Sequence, residues 1–105
     1  MSPMGKGKVF VFSRPVEFEG TEYKQIDFDL ESLTGNDMLA VERQFLASGV
    51  NQSVMVKEFN KEYQALVAAR AAKLPFEFFQ SIGARDFSRV TIAVQNFFLE
   101  AESAE

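Results

Sequence analysis

Val16-Glu17-Phe18-Glu19-Gly20, followed after a short interval by Ile26-Asp27-Phe28-Asp29-Leu30-Glu31, alternates apolar and acidic residues with a period of two. That period belongs to half-buried strands, and Gly20 breaks it where a tight turn is needed. The pattern predicts a β-hairpin turning around Glu19-Gly20-Thr21-Glu22. Upstream, Val9-Phe10-Val11-Phe12 is β-branched and aromatic and extends the first strand. Pro15 cannot donate to a ladder, so it belongs at an edge, bend or bulge. A lone two-stranded hairpin is marginal in water and must pack its apolar face on something else.

The rest of the chain supplies helices for it to pack on. Thr34 with Asp37 three residues later has the spacing of a capping box. Met38, Val41 and Phe45 then share one helical face, with Leu39 and Leu46 at its edge and Gly49 as a natural stop. A second helix is expected over roughly 54–73. Val56, Phe59, Tyr63, Leu66 and Val67 form its narrow stripe, Arg70 snorkels from that stripe, and Pro75 ends it. Phe76-Glu77-Phe78-Phe79 reads as one further turn before Gly83. A last helix runs from about Ala84 to Leu99 on the stripe Phe87, Val90, Val94, Phe97 and Phe98. The reading is α+β, an N-terminal β-hairpin packed on a small bundle of three to four α-helices. Residues 1–7 are expected to be a disordered lead and 8–99 a single domain, with the hairpin in 8–31 and the helices in 34–99. An acidic tail occupies 100–105.

Composition narrows the chemistry. The 105 residues include 12 phenylalanines but no histidine, cysteine or tryptophan. Histidine is the side chain that titrates near neutrality and cysteine is the intrinsically strong nucleophile. A net charge of −4 argues against nucleic-acid binding or an anionic membrane surface, and no apolar run is long enough for a membrane span. Asp27 and Asp29 could act as acid and base or hold a hard cation, but alternation places them on the solvent face of the hairpin. Ser32, Ser53, Ser81 and Ser88 have no histidine base, and Gly5-Lys6-Gly7-Lys8 lacks the spacing of a phosphate-binding loop. No catalytic residue, metal site or cofactor is expected, and the chain reads as a protein that holds another.

The last helix carries the candidates for that role. Arg85 and Arg89 stand near its N-terminus and Glu100 and Glu102 near its C-terminus, each opposed by the helix dipole. Pairing of the arginines with Asp27, Asp29 or Glu31 would compensate. Ile92 and Leu99 fall on the side opposite Val90, Val94 and Phe97, so the helix is apolar twice and either binds a partner or self-associates. Phe76 and Phe79 join them, because three phenylalanines in four residues exceed what one short turn normally buries. The expected partner-binding residues are therefore Phe76, Phe79, Arg85, Arg89, Ile92 and Leu99. An open hairpin edge adds to the expectation of a homo-oligomer.

Taken in order, several segments resemble the tail assembly chaperone family of Mu-like and P2-like contractile-tailed bacteriophages and prophages. They are Pro15-Val16-Glu17-Phe18-Glu19-Gly20, Asp27-Phe28-Asp29-Leu30, Leu33-Thr34-Gly35 with Asp37, and Tyr63 with Ala68-Ala69-Arg70-Ala71. Asp86-Phe87-Ser88-Arg89-Val90 and Val94-Gln95-Asn96-Phe97 complete the set. The resemblance implies a non-enzymatic protein of the bacterial host cytoplasm that binds the tape-measure protein. It would support assembly of the tail tube, with the tail tube protein as a further partner, and would not stay in the virion. It also implies that a longer product is often made by frameshifting. The competing expectations are a structural minor tail component, a small hydrolase or metal-dependent enzyme on the acidic hairpin, and a general regulatory interaction module.

Overall fold

A computed structural model describes residues 9–47 and 60–103, with side chains through Glu100. The expected lead, Gly49 and the 54–59 portion of the expected second helix, with Val56 and Phe59, lie outside the described residues. Strand β1 (Val9–Phe18) pairs antiparallel with β2 (Thr21–Asp27). The two-residue loop is Glu19-Gly20, both with positive φ (51° and 82°), as the twist of a tight hairpin demands. Alternation holds along the first half of β1, where Phe10 and Phe12 are buried and Val9 and Val11 exposed. The pairing then slips between Val11 and Val16, so that Phe12–Pro15 stand against Lys24 alone. Pro15 sits in this bulge, where a missing N–H costs no ladder bond.

The hairpin ends sooner than the alternation suggested. β2 stops at Asp27, and Leu30–Ser32 forms a single 3₁₀ turn in which Ser32 donates to the Asp29 carbonyl. Phe28 and Leu30 are buried nonetheless. A 3₁₀ turn keeps apolar residues in the core without a strand partner, so alternation outlasts the strand that it usually marks.

Helix α1 (Gly35–Ala47) opens with the expected capping box. Thr34 N–H donates to Asp37 Oδ2 at 2.9 Å, and Asp37 N–H donates back to Thr34 Oγ1 at 3.2 Å. Val41 and Phe45 face the core. Helix α2 (Lys61–Ala72) begins later than the expected residue 54. Asn60 is extended and its side-chain oxygen accepts from Tyr63 N–H, so the helix cannot run continuously through it. α2 also has no single stripe. Tyr63 to Ala69, with Ala71 and Ala72, are buried on all sides, because the alanines let neighbours approach from every direction. It ends in a Schellman turn with Lys73 left-handed (φ 60°), Leu74 N–H donating to the Ala69 carbonyl and Lys73 N–H to that of Arg70. Helix α3 (Phe76–Ser81) follows Pro75, and α4 (Ala84–Ser103) continues four residues past the expected Leu99.

α2 packs against α1, α3 and α4, while α4 also meets β1 and α2 meets β2. Tyr63 stands between Phe45 of α1 and Phe98 of α4, with ring centroids 5.4 Å and 6.3 Å away. The hairpin closes over α3 through Phe78, which meets the rings of Phe12, Phe18 and Tyr23. The fold is thus α+β, a hairpin followed by four helices among the described residues.

Candidate functional site

Phenylalanines build the core rather than the surface. Phe10, Phe12, Phe28, Phe45, Phe78 and Phe79 are buried, and Phe18, Phe76, Phe87, Phe97 and Phe98 are partly buried. Among the described residues, the large apolar side chains left exposed are aliphatic, namely Val9, Val11, Leu39, Leu46, Ile92 and Leu99. They fall in pairs with the period of their element, two residues apart on β1 and seven apart on α1 and on α4.

The six expected partner-binding residues separate into three places. Phe76 is half-buried in the wall of a groove of about 740 Å³ between the start of α2, α3 and the start of α4. Phe79 is fully buried and serves only as the base of that groove, which corrects the expectation of an exposed ring. Two of the three clustered phenylalanines can be buried because α3 is wedged between hairpin and bundle, with Phe78 and Phe79 edge-to-face at 5.2 Å. Ile82, Ala84 and Phe87 complete the apolar lining, and Lys61, Glu62, Gln80 and Ser88 form a polar rim. Phe76 also lines a neighbouring concavity of about 610 Å³, where Arg70 and Lys73 overlook Leu33, Leu66 and Leu74. The Arg70 guanidinium does point outward from its packed stem, and its Nε donates to Asp37 Oδ1 at 2.9 Å, tying α2 to α1. The backbone bond from Thr34 and this bond from Arg70 hold the Asp37 carboxyl below the usual carboxylate range.

Arg89 belongs to a structural clamp. The β1 bulge leaves Ser13 N–H without a strand partner, and the buried Asp86 accepts from it with both oxygens at 3.1 and 3.0 Å and from Ser13 Oγ at 3.0 Å. Arg89 donates to Asp86 Oδ1 at 2.6 Å and lays its guanidinium over the Phe10 ring, 4.5 Å from the centroid. Burial pushes the Asp86 pKa up, but the bonds from Arg89 and Ser13 outweigh it and hold the carboxyl below its ordinary value. The expected pairing of Arg89 with the hairpin carboxylates is thereby corrected. Its partner is one turn back on its own helix, where an acidic residue in the first turn also complements the dipole. Arg85 is exposed beside the bulge.

Ile92 and Leu99, 50% and 43% exposed, stand on a separate face. At about 100° per residue, Ile92 lies roughly 140° round the α4 axis from Phe87 but about 40° from Ser88, so this face borders the groove at its polar rim. The acidic hairpin does not make a site. Asp27 is exposed at the end of β2 while Asp29 is partly buried beyond it, and no metal-holding cluster of carboxylates occurs among the described residues. Ser32 and Ser81 hydroxyls are bound to the Asp29 and Phe78 carbonyls. No helix among the described residues is long and apolar enough to cross a membrane.

Among the described residues, the domain is a hairpin-capped helical layer with an aromatic-walled groove and exposed aliphatic pairs on β1, α1 and α4. The model of the family described as phage tail assembly chaperone proteins, E, or 41 or 14, matches residues 10–99. The chain belongs to that family of phage tail assembly chaperones. No curated protein and no solved structure matches it significantly.

Proposed function

We propose that this chaperone is non-enzymatic and acts in the bacterial host cytoplasm by holding an apolar helical stretch of the tape-measure protein in the Phe76 groove until the tail tube is built around it. The observation that supports this reading is the groove itself. Phe76 and Phe87 stand partly exposed over a floor of Phe79 and Ile82, rimmed by groups of both signs. A long helical protein with apolar stripes offers side chains at i, i+3, i+4 and i+7, which enter a groove of this kind as anchors. Half-buried aromatic walls are the features that dominate such contacts. The net charge of −4 favours solubility of the unloaded protein and disfavours binding to nucleic acid.

The test is capture of tape-measure fragments in a pull-down and by calorimetry. Phe76→Asp should weaken binding by on the order of tenfold or more while circular dichroism stays native. Undiminished capture by the folded variant would remove the groove as the site. Mass spectrometry of purified virions addresses the other half of the reading. A stoichiometric place for this chain in mature particles would make it a structural tail component instead.

A further inference from the structure

The concavity of about 610 Å³ beside the Phe76 groove belongs to the same surface, because Phe76 lines both. A segment lying in the groove can continue past that ring into the space between α1 and the end of α2. The lining there is apolar at depth, with Leu66 and Ala69 buried and Leu33 and Leu74 partly buried. Its charges differ from those of the groove. The groove rim sets Lys61 against Glu62, whereas the concavity sets Arg70 and Lys73 against Asp37 alone. Two cations and one anion leave one positive charge in excess, on a chain whose net charge is −4.

Both cations have donors to spare. Arg70 gives only its Nε to Asp37 Oδ1, at 2.9 Å, which holds the guanidinium in place and leaves its terminal nitrogens for a second acceptor. Lys73 is exposed and makes no ion pair among the described residues. It also stands where a lysine is costly. With φ 60° it closes the Schellman turn of α2, a position that glycine fills without strain. The helix dipole does not call for it, since Arg70 already places a cation in the last turn.

We infer that Arg70 and Lys73 form a carboxylate subsite for the segment held in the Phe76 groove. The client then carries an aspartate or glutamate on the same face as its apolar anchors, beyond the point where it crosses Phe76. Charge complementarity selects this occupant, because two cations over an apolar floor accept an acidic side chain and repel a basic one. Apolar anchors alone let a helix slip by a turn or lie in either direction. A charge taken up at one end of the trough sets both register and direction. This inference rests on the tape-measure reading of the groove and adds to it which stretch of that protein is accepted.

The experiment is calorimetry of the full chain with the tape-measure fragment that the wild type captures, at low and moderate salt. Circular dichroism and thermal melting confirm that each variant folds. Lys73→Gly removes the charge and relaxes the turn, so melting temperature should rise while affinity falls about two- to fivefold and its salt dependence flattens. A lysine with a structural role only would leave affinity unchanged. Lys73→Glu should weaken binding by about tenfold. Acidic residues of the fragment are then changed to lysine one at a time, and one such fragment should bind Lys73→Glu better than it binds the wild type. Unchanged affinity in both Lys73 variants, or no acidic position that Lys73→Glu rescues, would overturn the subsite. Phe76→Asp separates this failure from that of the groove. Weakened capture by Phe76→Asp with full capture by the Lys73 variants sinks the subsite alone. Undiminished capture by Phe76→Asp, or a wild type that captures no tape-measure fragment, sinks the groove and the subsite with it.

Discussion

The seam under the hairpin and the flanks of the helical layer are both rich in large apolar side chains, yet they obey different rules. The seam is aromatic and dry, with Phe78 touching the rings of Phe12, Phe18, Tyr23 and Phe79. The flanks are aliphatic and wet, with Leu39, Leu46, Ile92 and Leu99 about half exposed. Rings offer large area with few rotatable bonds, which suits the join between a two-stranded sheet and a short helix. Branched aliphatic side chains in register along a helix suit contacts with another helix, as in coiled-coil seams.

The sharpest way to break this contrast is Phe78→Ala. Removing a fully buried ring that joins three elements should cost about 3–5 kcal/mol, a large part of the stability of a domain of this size. Chemical unfolding measures it, and a loss under about 1 kcal/mol would mean that the seam is not what holds the hairpin. Next in size is Asp86→Ala, which leaves Ser13 N–H unpaired in the bulge and should cost about 1–3 kcal/mol. The same clamp sets a pH dependence. Folded-state pKa values of Asp86 and Asp37 lie below their ordinary, unfolded values near 4, so their contribution is present above that range and is lost as pH falls through the folded values. Melting temperature should therefore fall on acidification below about pH 4, and less steeply in Asp86→Asn.

Smaller effects sharpen the picture. Lys73→Gly relieves a left-handed non-glycine residue at the end of α2 and should stabilise by up to about 1 kcal/mol, read as a rise in melting temperature. Smallest of all should be Ile92→Asp at concentrations where the protein is monomeric, within about 0.5 kcal/mol of the parent. A loss as large as that of Phe78→Ala would show that this face of α4 is core rather than surface.

Much of this was legible in the residues because it is local. The hairpin turn, the Thr34–Asp37 capping box, the stop before Pro75 and the two-sided character of α4 each depend on side chains a few positions apart. What escaped was decided by distant neighbours. Phe79 and Phe76 are equivalent in sequence, and only the placement of α3 beneath the hairpin buries one and leaves the other half-open. Asp86 and Arg89 are three apart on one helix, so that pair was open to a local reading, but nothing local shows that a bulge 73 residues earlier brings Ser13 to the same carboxylate. The Phe76 groove draws on α2, α3 and α4 together, and Leu39 and Leu46 seemed the edge of one stripe when they form a second.

The Ser13–Asp86 bond also sets a timetable. β1 leaves the ribosome before the helices, but the floor on which it rests comes from α3 and α4, so the hairpin waits for those later elements to be synthesised. Until α4 emerges, the nascent domain has neither the Asp86 carboxylate that ties down the β1 bulge nor the Phe87 wall of the groove.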